Sequence, residues 1–253
     1  DTIPEASIIF IAAFYCIAAI FNLYIPNTGV SNRILNKNPI FLIHEFRHCF
    51  NLLWTDKLGQ ISLAVTTLFW GAGATLQFIV LKWAEMALDY PLNKAAQLQG
   101  IVAIGIAVGA VMAARFVSLR QSVKVIPLGI AMGVVVMAMT IAYKLWIAVI
   151  LLMLIGGLAG FFVVPMNALL QHRGHILMGA GHSISVQNFN ENLSILVMLT
   201  MYALLISFDV HIYSVIIIFG LFVAITMTLI RRWHMLNQSK EDSLHLIGEH
   251  KKP

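Results

Sequence analysis

Long apolar segments recur along this sequence and leave it few ways to fold. About 20 apolar residues are needed to cross the hydrocarbon core of a bilayer. Seven such spans are predicted, near residues 7–25, 61–81, 100–118, 123–142, 145–167, 180–206 and 212–230. Hydrophobic residues make up 60% of the 253 residues and charged residues 11%, against about 25% charged residues in an ordinary soluble domain. The sequence therefore predicts an all-α membrane protein with about seven transmembrane helices.

The basic residues predict how these helices are oriented. Thirteen Lys and Arg residues fall on one side of the predicted bundle, and three, Lys82, Lys94 and Lys144, fall on the other. Lys and Arg are retained on the cytoplasmic side of a membrane, so the C-terminus is expected to be cytoplasmic. The net charge of +5 is dispersed over helix ends and forms no basic stripe, so no nucleic-acid partner is expected.

Four segments are predicted along the chain. Residues 1–32 hold the first span, 33–59 a cytoplasmic linker, 60–232 six further spans, and 233–253 a polar cytoplasmic tail. Aromatic and charged residues alternate in the linker from Pro39 to Trp54, which indicates either a helix lying along the membrane interface or a simple helical connection. An odd number of spans with a cytoplasmic C-terminus places Asp1 outside. This arrangement favours a further segment before Asp1.

Polar side chains interrupt the sixth predicted span. They are Gln187, Asn188, Asn190, Glu191 and Asn192. An ionisable group inside a span costs roughly 2.5–3.5 kcal/mol on insertion scales, so Glu191 is expected to face a cavity or a partner group. Gln187 and Glu191 are four residues apart and share one helix face, while Asn188 and Asn192 share the adjacent face. Two interpretations remain open: a lining for a polar substrate path, or hydrogen bonds that fasten the helices.

Two further features concern the remaining spans. Trp70 and Gln77 lie in the second predicted span among glycines, and Gln77 either contacts a ligand or bonds to a neighbouring helix.

Pairs of glycines four residues apart predict close helix packing in the third, fourth and fifth spans. These pairs are Gly105 and Gly109, Gly129 and Gly133, and Gly156 and Gly160.

Catalytic and metal-binding motifs are not recognisable in the sequence. His172, His175 and His182 cluster, but no carboxylate or cysteine at regular spacing completes a zinc or iron pattern. There is no diagnostic Ser-His-Asp arrangement and no glycine-rich phosphate loop followed by Lys-Ser/Thr. We therefore expect no metal, no cofactor and no enzymatic activity.

Three stretches together resemble a known family. They read Leu68-Phe-Trp-Gly-Ala-Gly-Ala-Thr75, Gly160-Phe-Phe-Val-Val-Pro-Met-Asn-Ala-Leu-Leu-Gln171 and Val186-Gln-Asn-Phe-Asn-Glu-Asn192. In this order, they are similar to the bacterial lysophospholipid transporter family LplT, within the major facilitator superfamily. The resemblance runs from Ser7 to Trp233. It implies a major facilitator-like bundle in which this chain supplies the sixth span and the C-terminal six-helix half, the N-terminal half being absent.

The resemblance also implies a function. Members of this family move lysophospholipids such as lysophosphatidylethanolamine across the bacterial inner membrane to the cytoplasmic leaflet, where an acyltransferase restores the second chain. The partners implied are thus the lysophospholipid, membrane lipids, that acyltransferase and the N-terminal half. The candidate substrate path comprises Trp70, Gln77, Gln187, Asn188 and Glu191. Gln77 departs from the family, which carries Arg there, so a fixed positive charge for a lipid phosphate is missing at this position.

Other functions remain open on the residues alone. A major facilitator protein for another small amphipathic solute or drug would use the same architecture with a different lining. A membrane scaffold that transports nothing would use the polar residues only to join helices. An intramembrane enzyme is a third alternative, which the missing catalytic motif disfavours.

Overall fold

The computed structural model describes residues 4–24, 38–240 and 247. Within these residues the chain is helical and contains no strand. The helices are α1 (Pro4–Leu23), α2 (Pro39–Thr55), α3 (Gly59–Leu88), α4 (Leu92–Phe116), α5 (Ile126–Ala138), α6 (Leu145–Met178), α7 (Ala180–Ser207) and α8 (Ile212–Lys240). Short 3-10 helices, Leu119–Val125 and Met139–Ile141, flank α5.

Six of the described helical segments are long and apolar enough to cross a membrane: α3, α4, the run Leu119–Ile141 that contains α5, α6, α7 and α8. A shorter apolar stretch, Ile8–Leu23, lies within α1. The prediction of an all-α membrane protein with about seven spans is therefore confirmed.

Two helices extend beyond their predicted spans. A span was predicted near 145–167, and α6 continues beyond it to Met178, because polar residues such as Gln171 and Arg173 extend the helix past its apolar part. α8 continues from the predicted end at residue 230 to Lys240, so the first part of the expected polar tail is helical. The rest of that tail, apart from Ile247, lies outside the described residues, as does the start of the predicted linker at 33–37.

The chain divides into two compact units, Asp1–Leu42 and Ile43–Pro253. In the first unit, α1 is apolar along its length, and the rings of Phe10 and Phe14 meet edge to face with centroids 4.9 Å apart. In the second unit, α4 packs along α6, α7 along α3, and α5 along α8, while α3 also contacts α6 and α8. Its core includes the fully buried side chains of Trp83, Phe162 and Leu152.

Glycines bring α4 and α6 into backbone contact. A Cβ atom on Gly105 would lie 2.5 Å from the carbonyl oxygen of Met153. Gly109 likewise faces the carbonyl of Gly157, so neither position has room for a side chain. Gly156 and Gly160 of α6 lie against carbonyls of α4, those of Val102 and Ile106.

The contact between α5 and α8 also depends on small residues. A Cβ atom on Gly133 would lie 2.7 Å from the carbonyl oxygen of Gly220. On Gly129 it would meet the flexible end of Met227 at 2.6 Å. The backbone contact at Gly133 therefore leaves less freedom for substitution than the side-chain contact at Gly129.

A single residue joins α6 to α7. Gly179 has φ of 86°, a conformation that side chains disfavour and glycine adopts freely. The last turns of α6 and the first turn of α7 consequently pack closely, with Gly174 directly against Ser183. This turn fixes the register between α6 and α7.

Candidate functional site

α6 and α7 share a buried hydrogen-bonded cluster within their spans. The Gln187 side-chain Nε2 donates to Asn167 Oδ1 of α6 at 3.1 Å and to Glu191 Oε1 at 2.8 Å. Gln187 and Glu191 are each 8% exposed. The amide of Gln187 thus connects the carboxyl group of Glu191 to the neighbouring helix.

This cluster lies beside a weak point of α6. Pro165 is inside the helix and has no N–H, so the helical hydrogen bond to the carbonyl of Phe161 is missing. Asn167 follows two residues later and presents its side chain to Gln187. The polar cluster therefore occurs where α6 is least constrained by its own backbone.

The polar residues of α7 lie on two different faces. Gln187 and Glu191 are buried, as is Asn190, whose Nδ2 donates to the carbonyl of Val186 at 2.8 Å. Asn188 and its neighbour on the same face, Asn192, are exposed. Asn188 thus lies on a different surface from Gln187 and Glu191, although all three were predicted to serve the same path.

α3 carries the other two candidate residues. The Trp70 side chain is 44% exposed and its ring meets that of Phe69 edge to face, with centroids 5.6 Å apart. Gln77 is exposed, and its backbone carbonyl accepts a hydrogen bond from Gln99 Nε2 of α4 at 2.8 Å. Trp70 and Gln77 are seven residues apart on one helix face, with open space around Gly73 between them.

A buried ion pair near the start of α3 was missed by the sequence analysis. Arg173 Nη2 of α6 lies 2.6 Å from Asp56 Oδ2, and Arg173 Nε donates to Asp56 Oδ1 at 3.2 Å. The two side chains are 2% and 8% exposed, respectively. Asp56 Oδ1 also accepts the N–H of Gly59 at 2.7 Å, so one carboxylate joins the first turn of α3 to α6.

Aromatic residues hold part of α2 on the second unit. The ring of Phe189 on α7 lies edge to face with Phe46 and Phe50, at centroid distances of 5.3 and 6.2 Å. Trp54 stacks on Trp233 of α8 at 6.4 Å. The opposite face of α2 exposes Arg47. The aromatic face of α2 therefore contacts α7 and α8.

Cys49 belongs to the same contact. It is buried together with Leu53, Leu63, Leu170 and Val186. Burial raises the pKa of the Cys49 thiol, and the negative charge of Glu45 raises this pKa further. The raised pKa lowers the fraction of reactive thiolate at neutral pH.

The three clustered histidines make separate contacts. His182 Nε2 lies 3.3 Å from Glu45 Oε1, and His172 Nε2 lies 3.2 Å from the carbonyl oxygen of Ile247. His175 is exposed. In the described part of the chain, no three His, Cys, Asp or Glu side chains are grouped closely enough to hold a metal ion.

The chain is similar to curated proteins that share one name. Proteins named lysophospholipid transporter LplT from Yersinia pestis (strain Pestoides F) and Yersinia pseudotuberculosis serotype O:3 (strain YPIII) are each 40% identical to the chain over 205 residues, 81% of its length. The matched region is thus similar to proteins of the LplT family. This confirms the resemblance predicted from the three sequence stretches.

The chain spans about half the length of these LplT relatives, 50% in each. Their names describe transporters and not enzymes, in agreement with the expectation of a non-enzyme. No family model matches the chain, and no solved structure matches it. The LplT match and the apolar helices together describe a multi-pass membrane protein.

Proposed function

We propose that this chain is the C-terminal portion of a transporter that moves lysophospholipids across the bacterial inner membrane to the cytoplasmic leaflet. The observation that carries this proposal is the 40% identity to LplT proteins over 205 residues. Six long apolar helices, packed in pairs around α3 and α6, suit one half of a two-half transporter.

Alternating access is the mechanism we propose. In such transporters two halves rock about a central site near the bilayer midplane. The match covers 50% of each relative's length, which is consistent with one half of a two-half transporter. The N-terminal half would supply the opposite wall of the central site.

The surface residues of α3 and α7 are proposed to guide the lipid head group. Trp70, Gln77 and Asn188 are exposed on the bundle and offer one aromatic ring and two amides. Amide N–H groups donate to phosphate oxygens, although Gln77 provides no positive charge. The head group of lysophosphatidylethanolamine would therefore meet hydrogen-bond donors on this half, and any cation for its phosphate would come from elsewhere.

Gln187 and Glu191 are proposed to act behind that surface. Their cluster is buried here, beside the hydrogen bond that Pro165 removes from α6. Movement of α6 against α7 would open the cluster and present the Glu191 carboxyl group to the ammonium of an ethanolamine head group. This pairing suits a zwitterionic lipid, because a carboxylate and an ammonium group attract each other strongly away from water.

A cytoplasmic C-terminus and delivery to the cytoplasmic leaflet complete the proposal. The lipid would arrive where a lysophospholipid acyltransferase can restore its second chain. No covalent chemistry is then required of the transporter itself.

The test is flipping of fluorescent lysophosphatidylethanolamine in proteoliposomes, with the full-length parent transporter beside the 253-residue chain. We expect the parent to flip the lipid and this chain alone to be inactive. In the parent, Glu191→Ala should lower the rate about tenfold or more, whereas Thr200→Ala, at an exposed position on the same helix, should leave it within about twofold.

Two results would contradict this. An unchanged rate in Glu191→Ala would remove Glu191 from the mechanism. A folded parent that moves no lysophospholipid but transports a soluble amphipathic drug would favour the alternative substrate class.

A further inference from the structure

An apolar cleft lies between α3, α7 and α8. α7 packs along α3 while α8 packs mainly along α5, so the two helices diverge and leave a cavity of about 70 Å³ between them. α3 forms the floor and α7 and α8 the walls, with Thr75 and Ile79, Met198 and Met201, and Ile218 and Phe222 among the lining residues. The Thr75 hydroxyl donates to the carbonyl of Gly71 at 2.9 Å, so it offers no free donor to the cleft.

A basic residue lies beyond one end of this cleft. Tyr202 lines the cleft, and its hydroxyl donates to the carbonyl of Phe78 at 3.4 Å. Lys82 follows Phe78 by one helical turn on the same face of α3. Lys82 also pairs with Glu85 at 3.0 Å, but both side chains are largely exposed. Such surface pairs contribute little, so a phosphate can compete for the ammonium.

The position of the cleft along the helices is also informative. Its residues come from the last third of α7 and the first third of α8, next to the turn that joins them. Lys82 belongs to the sparsely charged side of the molecule, opposite the end that carries most Lys and Arg residues. By the charge rule that end is cytoplasmic, so the cleft opens in the outer leaflet.

We propose that this cleft binds the single acyl chain of a lysophospholipid in the outer leaflet, with the lipid phosphate at Lys82. The walls contribute almost no polar surface, which suits hydrocarbon, and one cation at the rim suits one phosphate. The cleft would hold the tail while the head group moves toward the central site. This inference rests on the proposed transport of lysophospholipids.

Photocrosslinking in the full-length transporter tests the proposal independently of transport. The probe is lysophosphatidylethanolamine with a diazirine in the middle of its acyl chain, and labelled residues are mapped by mass spectrometry. We expect labelling of the cleft walls, including Met198, Met201 and Phe222. Labelling confined to other helices would overturn the proposal, as would equal labelling of the cleft by a diacyl phosphatidylethanolamine probe.

α8 offers a matched pair of variants. Ile217 and Ile218 are adjacent and 47% and 46% exposed, but only Ile218 lines the cleft. Ile218→Trp should reduce cleft labelling about tenfold, because the indole displaces about two methylene groups of the lipid. Ile217→Trp should leave labelling within about twofold. Equal effects of the two substitutions would overturn the proposal.

The role of Lys82 at the rim of the cleft can be tested with a matched control. Lys82→Gln should weaken probe binding about threefold and reduce its dependence on salt, whereas Lys94→Gln should change neither. If the wild-type protein flips lysophospholipid yet labelling misses the cleft, the cleft proposal fails and the transport proposal stands. If the cleft is labelled but nothing is flipped, the site is supported and the transport proposal fails.

Discussion

At the scale of single residues, Arg173 and Asp56 form a buried ion pair in the second unit. Arg173 and Asp56 make two side-chain contacts, and Asp56 also accepts the N–H of Gly59. A two-pronged guanidinium–carboxylate contact is geometrically specific and stronger than a single hydrogen bond. Removing one partner of a buried ion pair is strongly destabilising. The pair therefore holds the start of α3 to the end of α6.

Neutralising Asp56 should destabilise the protein substantially. Asp56→Asn keeps the shape of the side chain but leaves the Arg173 charge buried, so we expect a loss of about 3–5 kcal/mol. Unfolding in detergent, followed by loss of helical circular dichroism, measures the effect. Glu85→Gln breaks the exposed pair with Lys82 and should cost about 1 kcal/mol or less. Equal losses in the two variants would show that the Asp56–Arg173 pair has no special role.

At the scale of helices, backbone contact between α4 and α6 depends on where glycines lie. Gly109 has no room for a methyl group because the carbonyl of Gly157 is in the way. Gly100 belongs to the same helix, but no neighbouring atom lies within 4 Å of the place that a Cβ atom would occupy there. One helix thus contains a glycine that packing requires and another that packing does not.

Alanine substitutions should separate these two glycines. Gly109→Ala should destabilise the bundle by about 1–3 kcal/mol, because the helices must move apart. Gly100→Ala should stabilise it by about 0.5–1 kcal/mol, since alanine favours a helix more than glycine does. Thermal unfolding of each variant in detergent measures the difference. If Gly100→Ala destabilised the protein, Gly100 would have to contact a neighbouring residue, contrary to the packing described above.

The attachment of α2 can be followed through Cys49. In a Cys16→Ala background, Cys49 is the remaining cysteine of the chain. We expect slow alkylation by N-ethylmaleimide at pH 7, because the thiol is buried and its raised pKa lowers the fraction of reactive thiolate.

Loss of an aromatic contact should expose this thiol. Trp54→Ala removes the stacking on Trp233 and should accelerate alkylation several-fold, while Asn51→Ala on the exposed face of α2 should not. Mass spectrometry of the labelled protein gives both rates. Fast labelling of the unaltered protein would mean that α2 leaves the bundle readily.

At the scale of the whole molecule, the charge distribution predicts the orientation in the membrane. The sequence predicts thirteen basic residues on one side and three on the other. The helix ends near Arg173 and Arg231 belong to the basic side, and the α3–α4 turn near Tyr90 belongs to the other. The C-terminal end of α8 should therefore be cytoplasmic.

Reporter fusions in the full-length transporter test this orientation. A green fluorescent protein fused after Lys240 should be fluorescent, and alkaline phosphatase fused there should be inactive. Alkaline phosphatase inserted at Tyr90 should be active, since that turn is expected outside. The reverse pattern would invert the orientation, and with it the leaflet assigned to the cleft.

The helices themselves were predictable from local sequence. The apolar runs gave the number and the approximate positions of the spans, because each span must satisfy its backbone hydrogen bonds within one helix. The predicted spans stop before the ends of α6 and α8, because apolar content marks the hydrocarbon boundary and a helix can continue past it. The glycine spacing likewise indicated close packing, although not which helices meet.

The candidate site was predictable only in part. Helical periodicity correctly placed Gln187 and Glu191 together on one face, where they hydrogen bond. It left open which face is buried, since that depends on where α6 lies. Periodicity did not identify Asn167 as the partner of Gln187, because this hydrogen bond depends on how α6 packs against α7.

The sequence by itself determined a multi-pass helical protein that resembles the LplT family, because apolar length and short motifs are local properties of the chain. The tertiary structure alone decided the Asp56–Arg173 pair, whose partners are far apart in sequence. It also decided the cleft between α3, α7 and α8, which exists because two neighbouring helices pack along different partners. Contacts between distant segments depend on how whole helices pack, and no local pattern records that arrangement.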